Sequence, residues 1–160
     1  AMDLQELRSV MGHFATGVTV ITTMDKTGTP FGLTANSFTS LSLNPPLVLV
    51  CIDKGVQCYP YFEESKIFAV NVLNEDQEEL SRRFATKGIK KFAGIKWHKG
   101  HHGVALLDGA IGYIECKVIH SYEGGDHTIY VGEIANATAS GDRPLIFFKG
   151  KYHRLPHQES

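Results

Sequence analysis

The sequence predicts a mainly β fold, a closed antiparallel β-barrel with peripheral helices. Short β-branched or apolar runs recur at strand length, in Val18–Thr23, Leu47–Ile52, Ile67–Val72, Tyr113–Ile119, Thr128–Ile134 and Leu145–Phe148. Helical periodicity is confined to two stretches. The regular strand–helix alternation of a doubly wound sheet is missing, and glycine-rich turns join the strands directly.

Element by element, Leu4, Leu7, Met11 and Phe14 fall at helical spacing, with Asp3 as cap, Glu6 at the reciprocal position and Gly17 as terminator. This helix is expected to pack on the sheet. Val18–Thr23, a turn at Asp25–Gly28 and Pro30–Thr34 form a hairpin. Leu47–Ile52, after Pro45-Pro46, is apolar on both faces and so is a strand covered on both sides, and Ile67–Val72 is of similar type. Asn74–Ala85 reads as a second helix, with Asn74 and Gln77 in a capping-box arrangement, acids first and Arg82-Arg83 last. Lys87–Gly103 reads as a mobile loop. In Tyr113–Ile119, Ile114, Cys116 and Val118 face one way and Glu115 and Lys117 the other. Gly124-Gly125-Asp126 turns the chain into Thr128–Ile134, and a polar tail follows Gly150.

The chain has 160 residues, 42% hydrophobic and 21% charged, with 16 basic and 17 acidic residues. That length suits one domain, expected over residues 2–155 once Ala1, read as preceding the initiator Met2, is set aside. The charge balance excludes a broad cationic face for nucleic acid and gives no reason to expect a membrane partner. The longest apolar run, Leu47–Ile52, is far below the roughly 20 residues of a membrane helix. With no secretory leader pattern and an odd number of cysteines, the expected location is a reducing cytoplasm.

One stretch stands out chemically. Thr34-Ala35-Asn36-Ser37-Phe38-Thr39-Ser40-Leu41-Ser42 gathers hydroxyls and an amide around one aromatic, between a strand and the Pro45-Pro46 corner. Hydroxyls, Asn36 and free backbone N–H groups suit a phosphate or a heterocycle edge when no cationic cluster is at hand. The same residues also suit a turn that satisfies its own backbone, and spacing leaves both readings open.

Gly17–Thr22, Gly32–Ser42, Pro45–Ile52, Arg83-Phe84-Ala85 and Gly125–Glu133 together resemble the short-chain flavin reductase family, in family order from about Met11 to Tyr152. The nearest likeness is to the small reductase components of two-component phenol and 4-hydroxyphenylacetate monooxygenases. The resemblance implies a flavin-binding split barrel, a homodimer that reduces FAD (alternatively FMN) with NADH or NADPH and supplies a separate oxygenase. By position it implies that Thr34, Ala35, Asn36, Ser37, Phe38 and Ser40 hold the flavin, with Ser40 toward its phosphate. It further implies that Cys51, Ile52 and Asp53 pass along the flavin through backbone groups. Lys54 and Gln57 would add contacts to the ribityl or phosphate portion, and Arg83, Phe84 and Ala85 would close over the cofactor. For Phe84 the alternative is core packing; for Arg83 it is dipole compensation. His127 would fix the nicotinamide carboxamide by a hydrogen bond, with no residue acting as acid or base, since hydride transfer needs alignment above all.

The Trp97–Gly103 segment holds His98, His101 and His102 but reads as solvated loop, with no metal expected. Cys51 and Cys116 read as core residues and Cys58 as near-surface. The family's Gly-x-Pro-x-Leu stretch lacks its proline here, at Gly103-Val104-Ala105-Leu106. Absence of a Gly-x-Gly-x-x-Gly loop argues against nicotinamide binding in a dinucleotide fold. Rival readings are a flavin-binding barrel without turnover and a relative that reduces another acceptor such as Fe(III).

Overall fold

A computed structural model describes residues 2–157. Helix α1 (Leu4–Met11) is followed by β1 (Thr16–Gly17), β2 (Thr19–Met24), β3 (Pro30–Ala35), β4 (Phe38–Leu43), β5 (Pro46–Asp53) and α2 (Tyr59–Ser65). Then come β6 (Ile67–Val72), α3 (Glu78–Phe84), β7 (Trp97–Lys99), β8 (Ala105–Leu107), β9 (Gly112–Gly124), β10 (His127–Ala139), β11 (Leu145–Phe148) and β12 (Lys151–Arg154).

Seven strands form one antiparallel sheet in the order β3-β2-β6-β9-β10-β5-β4. Its two edge strands, β3 and β4, are consecutive in the chain and separated only by Asn36 and Ser37. So short a connection forces the sheet to roll until its edges meet without pairing, which is the split of a split barrel. The interior is filled by Val50, Ile52, Phe62, Phe68 and Tyr130, all inaccessible to solvent. At Gly132 a Cβ would lie 2.6 Å from the Phe68 ring, so glycine is required where that ring crosses β10. A second apolar layer on the outside of β2 joins Val18, Val20, Leu73, Phe84 and Leu145, with α3 and the β11–β12 hairpin as cover.

Buried polar groups fasten the outer layer. Asn71 Nδ2 donates to Val20 O at 3.0 Å while its Oδ1 accepts from Leu107 N at 2.9 Å, and Thr22 Oγ1 donates to Ala105 O at 2.7 Å. These bonds dock the short β7–β8 ribbon on the barrel wall, as buried amides and hydroxyls require partners.

Several sequence expectations are corrected. The first helix is shorter than read, ends at Met11 with Gly12 as cap, and buries none of its residues. Leu4, Val10, Met11 and Phe14 are exposed, so its apolar face is not packed on the sheet. The second helix begins at Glu78, not Asn74, although the capping contact exists: Gln77 Oε1 accepts from Asn74 N at 2.9 Å. The hydroxyl-rich stretch is strand–turn–strand instead of a loop, because Phe38–Leu43 pairs with β5. Helix α2, β12 and the Trp97–Lys99 strand were not expected.

Cys58 is buried, against the surface position read from sequence. His98 and His102 are not simply solvated: His98 Nδ1 lies 2.6 Å from Asp108 Oδ1, and His102 Nδ1 lies 3.5 Å from Glu115 Oε1. Glu115 shares its face with Lys117 yet is fully buried, accepting from Asn136 Nδ2 at 3.0 Å and His102 N at 3.2 Å. Gly100 makes room for it, since a Cβ there would lie 2.2 Å from Glu115 Oε1.

Candidate functional site

The expected site residues fall into three places along the split. The first is the shared end of β4, β5 and β10. Cys51 N donates to Ser37 O at 3.1 Å and Ser37 Oγ donates to Cys51 O at 2.8 Å, so Phe38 stands opposite Val50. Asp53 pairs with His127, and Lys54 N donates to Asp126 O at 2.9 Å. Ser37, Phe38, Cys51, Ile52, Asp53, Lys54 and His127 are thereby gathered. Ile52 is fully buried, which leaves only its backbone for any ligand. Asp53 Oδ1 accepts from Gly55 N at 2.7 Å, and the Lys54 ammonium is paired with Glu123.

His127 is half-buried, with Nδ1 at 2.6 Å from Asp126 Oδ1. That hydrogen bond, with the nearby ring charge, holds the Asp126 carboxyl below its ordinary range. An ionised Asp126 accepts a hydrogen bond from Nδ1–H, which orients the ring and leaves Nε2 for a second partner.

The second place is a cavity of about 210 Å³ lined by Thr34, Ala35, Asn36 and Ala85, with Ser81 and Tyr152. Thr34 Oγ1 is occupied by Ser81 O at 2.6 Å, and Ser81 Oγ lies 2.7 Å from the Tyr152 hydroxyl. Asn36 is exposed at the turn. The third is a cavity of about 330 Å³ that includes Gln57, Phe31, Gly32, Cys58 and Lys91. Both cavities run along β3, whose outer edge pairs with no strand among the described residues.

Arg83 and Phe84 are placed otherwise than a closing cover requires. Arg83 donates from Nε to Lys91 O at 2.6 Å and from Nη2 to Lys90 O at 2.8 Å and Ala93 O at 2.7 Å. The guanidinium thus staples the loop after α3 and is not free. Phe84 is buried against Gly32, where a Cβ would meet its ring at 3.1 Å, so the core alternative holds for it. Ser40 is exposed further along β4 and lines neither cavity. No cluster of three or more His, Cys, Asp or Glu suited to a metal occurs among the described residues.

A family model described as flavin reductase like domain matches residues 11–156. The chain belongs to this flavin reductase family. It is 38% identical over 160 residues to the reductase component of a 4-nitrophenol 4-monooxygenase/4-nitrocatechol 2-monooxygenase from Rhodococcus opacus, covering 99% of this chain and 85% of that protein. It is 42% identical over 159 residues to an NADH-dependent FAD reductase from Streptomyces globisporus, covering 96% and 86%. A solved structure of the Streptomyces globisporus C-1027 NADH:FAD oxidoreductase SgcE6, in complex with NAD and FAD fragments, superposes with a TM-score of 0.91. The identity is 41%, over 96% of this chain and 93% of that one.

In the stretch Gly103-Val104-Ala105-Leu106, Ala105 and Leu106 pair with Lys99 and His98 in the β7–β8 ribbon. Sequence reasoning missed Ser81, Tyr152 and Lys91 as cavity residues. Lys91 was hidden in the basic run Lys87–Lys91, where the adjacent apolar Phe92 was the available sign that the segment docks. No helix among the described residues is long and apolar enough to cross a membrane.

Proposed function

We propose that this chain is an NAD(P)H-dependent flavin reductase that transfers hydride from the nicotinamide nucleotide to FAD, or alternatively FMN, for use by a separate monooxygenase. The observation that carries the reading is the convergence, in a member of this family, of Ser37, Cys51–Lys54 and the Asp126-anchored His127 at one end of the sheet. The names of the relatives support the reading: one is called an NADH-dependent FAD reductase, and another is the reductase component of a monooxygenase.

The donor set suits a flavin. Asn36 offers its exposed amide beside one cavity, and the edge of β3, which pairs with no strand among the described residues, offers backbone groups to a heterocycle. Bound flavin supplies the two-electron acceptor chemistry. The protein supplies alignment. Asp126 sets the His127 ring so that Nε2 hydrogen-bonds the nicotinamide carboxamide, and Thr34, Ala35 and Asn36 line the flavin edge. No side chain is required as acid or base.

The reading includes one domain over residues 2–155, a homodimer, and a cytoplasmic location. The exposed apolar residues of α1, together with Phe14 after it at 79% exposure and Leu43 on β4 at 96%, support a second copy as cover. Three unpaired thiols support a reducing compartment. Steady-state oxidation of NADH and NADPH under anaerobic conditions, with FAD or FMN as acceptor, tests the proposal. Turnover that depends on added flavin is expected, and none with any of the four pairs overturns it.

A further inference from the structure

Helix α2 is fastened to β10 by two polar rungs. Tyr59 and Glu63 stand one turn apart on the helix, and the buried Thr128 and Tyr130 stand two residues apart on one face of the strand. The two spacings match, about 6 Å along a helix and about 6.6 Å along a strand. The Tyr59 hydroxyl lies 2.7 Å from Thr128 Oγ1, and the Tyr130 hydroxyl donates to Glu63 Oε1 at 2.6 Å. Phe62, from the same turn of α2, stacks on Tyr130 with ring centroids 5.8 Å apart. Burial, and then the bond to Glu63, raise the Tyr130 pKa, so that hydroxyl stays a neutral donor.

The Tyr59 rung falls beside the proposed nicotinamide contact. Thr128 follows His127, the first residue of β10, where the ladder with β9 ends at Gly124. Strand ends open more easily than their middles. Gly124 and Gly125 bring no side chain to hold this turn, and Asp126 is 91% exposed, so it orients the His127 ring without anchoring it. The Lys54–Glu123 pair across the turn lies at the surface, where ion pairs hold weakly. A backbone bond from Lys54 N to Asp126 O at 2.9 Å ties the turn to the end of β5. The buried side chain next to His127 that reaches a different element is Thr128, and it reaches Tyr59. Tyr59 is in turn held by α2, whose Phe62 is inaccessible to solvent in the core.

We propose that Tyr59 is a positioning residue for hydride transfer: through Thr128 it pins the start of β10, and so holds the His127 ring where the nicotinamide carboxamide is received. This rests on the flavin reductase reading, with His127 as the nicotinamide contact. Tyr59 acts through Thr128 and not on the reactants. The role belongs to one oxygen atom, because the Tyr59 ring packs near Tyr130, with centroids 6.4 Å apart, whether or not it carries a hydroxyl.

The test is a kinetic cycle on the full-length protein with added flavin, using Tyr59→Phe, Thr128→Val and Thr128→Ser, and Tyr59→Phe combined with His127→Ala. Tyr59→Phe and Thr128→Val are each expected to raise the apparent KM for NADH or NADPH, whichever the wild type oxidises, by about three- to tenfold. That is the worth of one neutral hydrogen bond, and the flavin Kd should stay within about twofold. Thr128→Ser keeps a hydroxyl and should stay near wild type. Once His127 is alanine, adding Tyr59→Phe should change the KM by less than about 1.5-fold, because the group it positions is gone. The same factor in both backgrounds, an equal loss of flavin affinity, or an unchanged KM in Tyr59→Phe overturns the proposal, since a merely structural tyrosine acts independently of His127. An unchanged KM in His127→Ala alone marks failure of the underlying reading, and the proposal falls with it.

Discussion

Arg83 bonds the backbone of Lys91, and Lys91 in return bonds the backbone of the residue next to Arg83. The Arg83 guanidinium donates to Lys91 O at 2.6 Å, and the Lys91 ammonium returns to Phe84 O, the residue after Arg83, at 3.0 Å. The loop after α3 is therefore locked to the helix that precedes it, and the cavity of about 330 Å³, lined by Ile89, Lys91 and Phe92 of that loop, inherits its shape from the lock. Removing the fork by Arg83→Ala should raise amide exchange across residues 86–93 by about 30-fold, since charge-assisted bonds hold that loop closed. Arg83→Lys should rescue little, because one ammonium cannot span three carbonyls. Mass-spectrometric exchange on the two variants checks both outcomes.

Removing His127 should separate the two reactants. His127→Ala is expected to raise the apparent KM for the nicotinamide nucleotide about tenfold, the worth of one hydrogen bond, and to move the flavin Kd by less than about twofold. Asp126→Asn should give a smaller shift in the same direction by loosening the ring. Parallel loss of both affinities would mean that His127 serves the flavin pocket instead.

The sequence carried the strands that bury two faces or alternate cleanly, and so the barrel. The Gly124-Gly125-Asp126 turn was legible from its residue types, whereas Cys51–Asp53 and His127 came forward as site residues only through the family resemblance. The sequence did not carry β4, since Phe38–Leu43 is rich in serine and threonine and becomes a strand only through pairing with β5. The burial of Glu115 was equally hidden, because its partners His102 and Asn136 come from distant positions. The fate of Arg83 was misjudged for a related reason: carbonyls have no signature in a sequence.

Asn71 should be a stability determinant remote from the chemistry. It satisfies Val20 O and Leu107 N at once in a dry environment. Asn71→Ala leaves both groups unpartnered and should cost about 2–4 kcal/mol in urea unfolding, by desolvation of orphaned backbone groups.

Alkaline pH should destabilise the fold through its buried thiols. Burial pushes Cys116 up to about 12 and Cys58 up to about 11, from an ordinary value of 9.0. The folded state keeps these protons after the unfolded chain has lost them, so stability falls as pH rises above the unfolded value. Each thiol contributes a slope of up to about 1.4 kcal/mol per pH unit. Lys91, whose folded pKa is lowered, acts in the opposite sense close to its ordinary value of 10.5. Urea midpoints between about pH 8 and 10 should decline, and Cys116→Ala should flatten the decline.

The homodimer proposed above should have its seam at the exposed helix α1. A charge on this exposed apolar surface, Met11→Glu on the helix or Phe14→Glu just after it, is expected to convert dimer to monomer in light scattering coupled to size exclusion while leaving far-UV circular dichroism unchanged. Dimers that persist in both variants would place the interface elsewhere.

The central claim, that this chain passes hydride from a nicotinamide nucleotide to a flavin, is tested most directly by anaerobic mixing of the FAD-loaded protein with one equivalent of NADH or NADPH. Bleaching of the flavin absorbance at about 450 nm, complete at one equivalent and much slower in His127→Ala, is the result predicted. A flavin spectrum unchanged by either nucleotide would contradict the account.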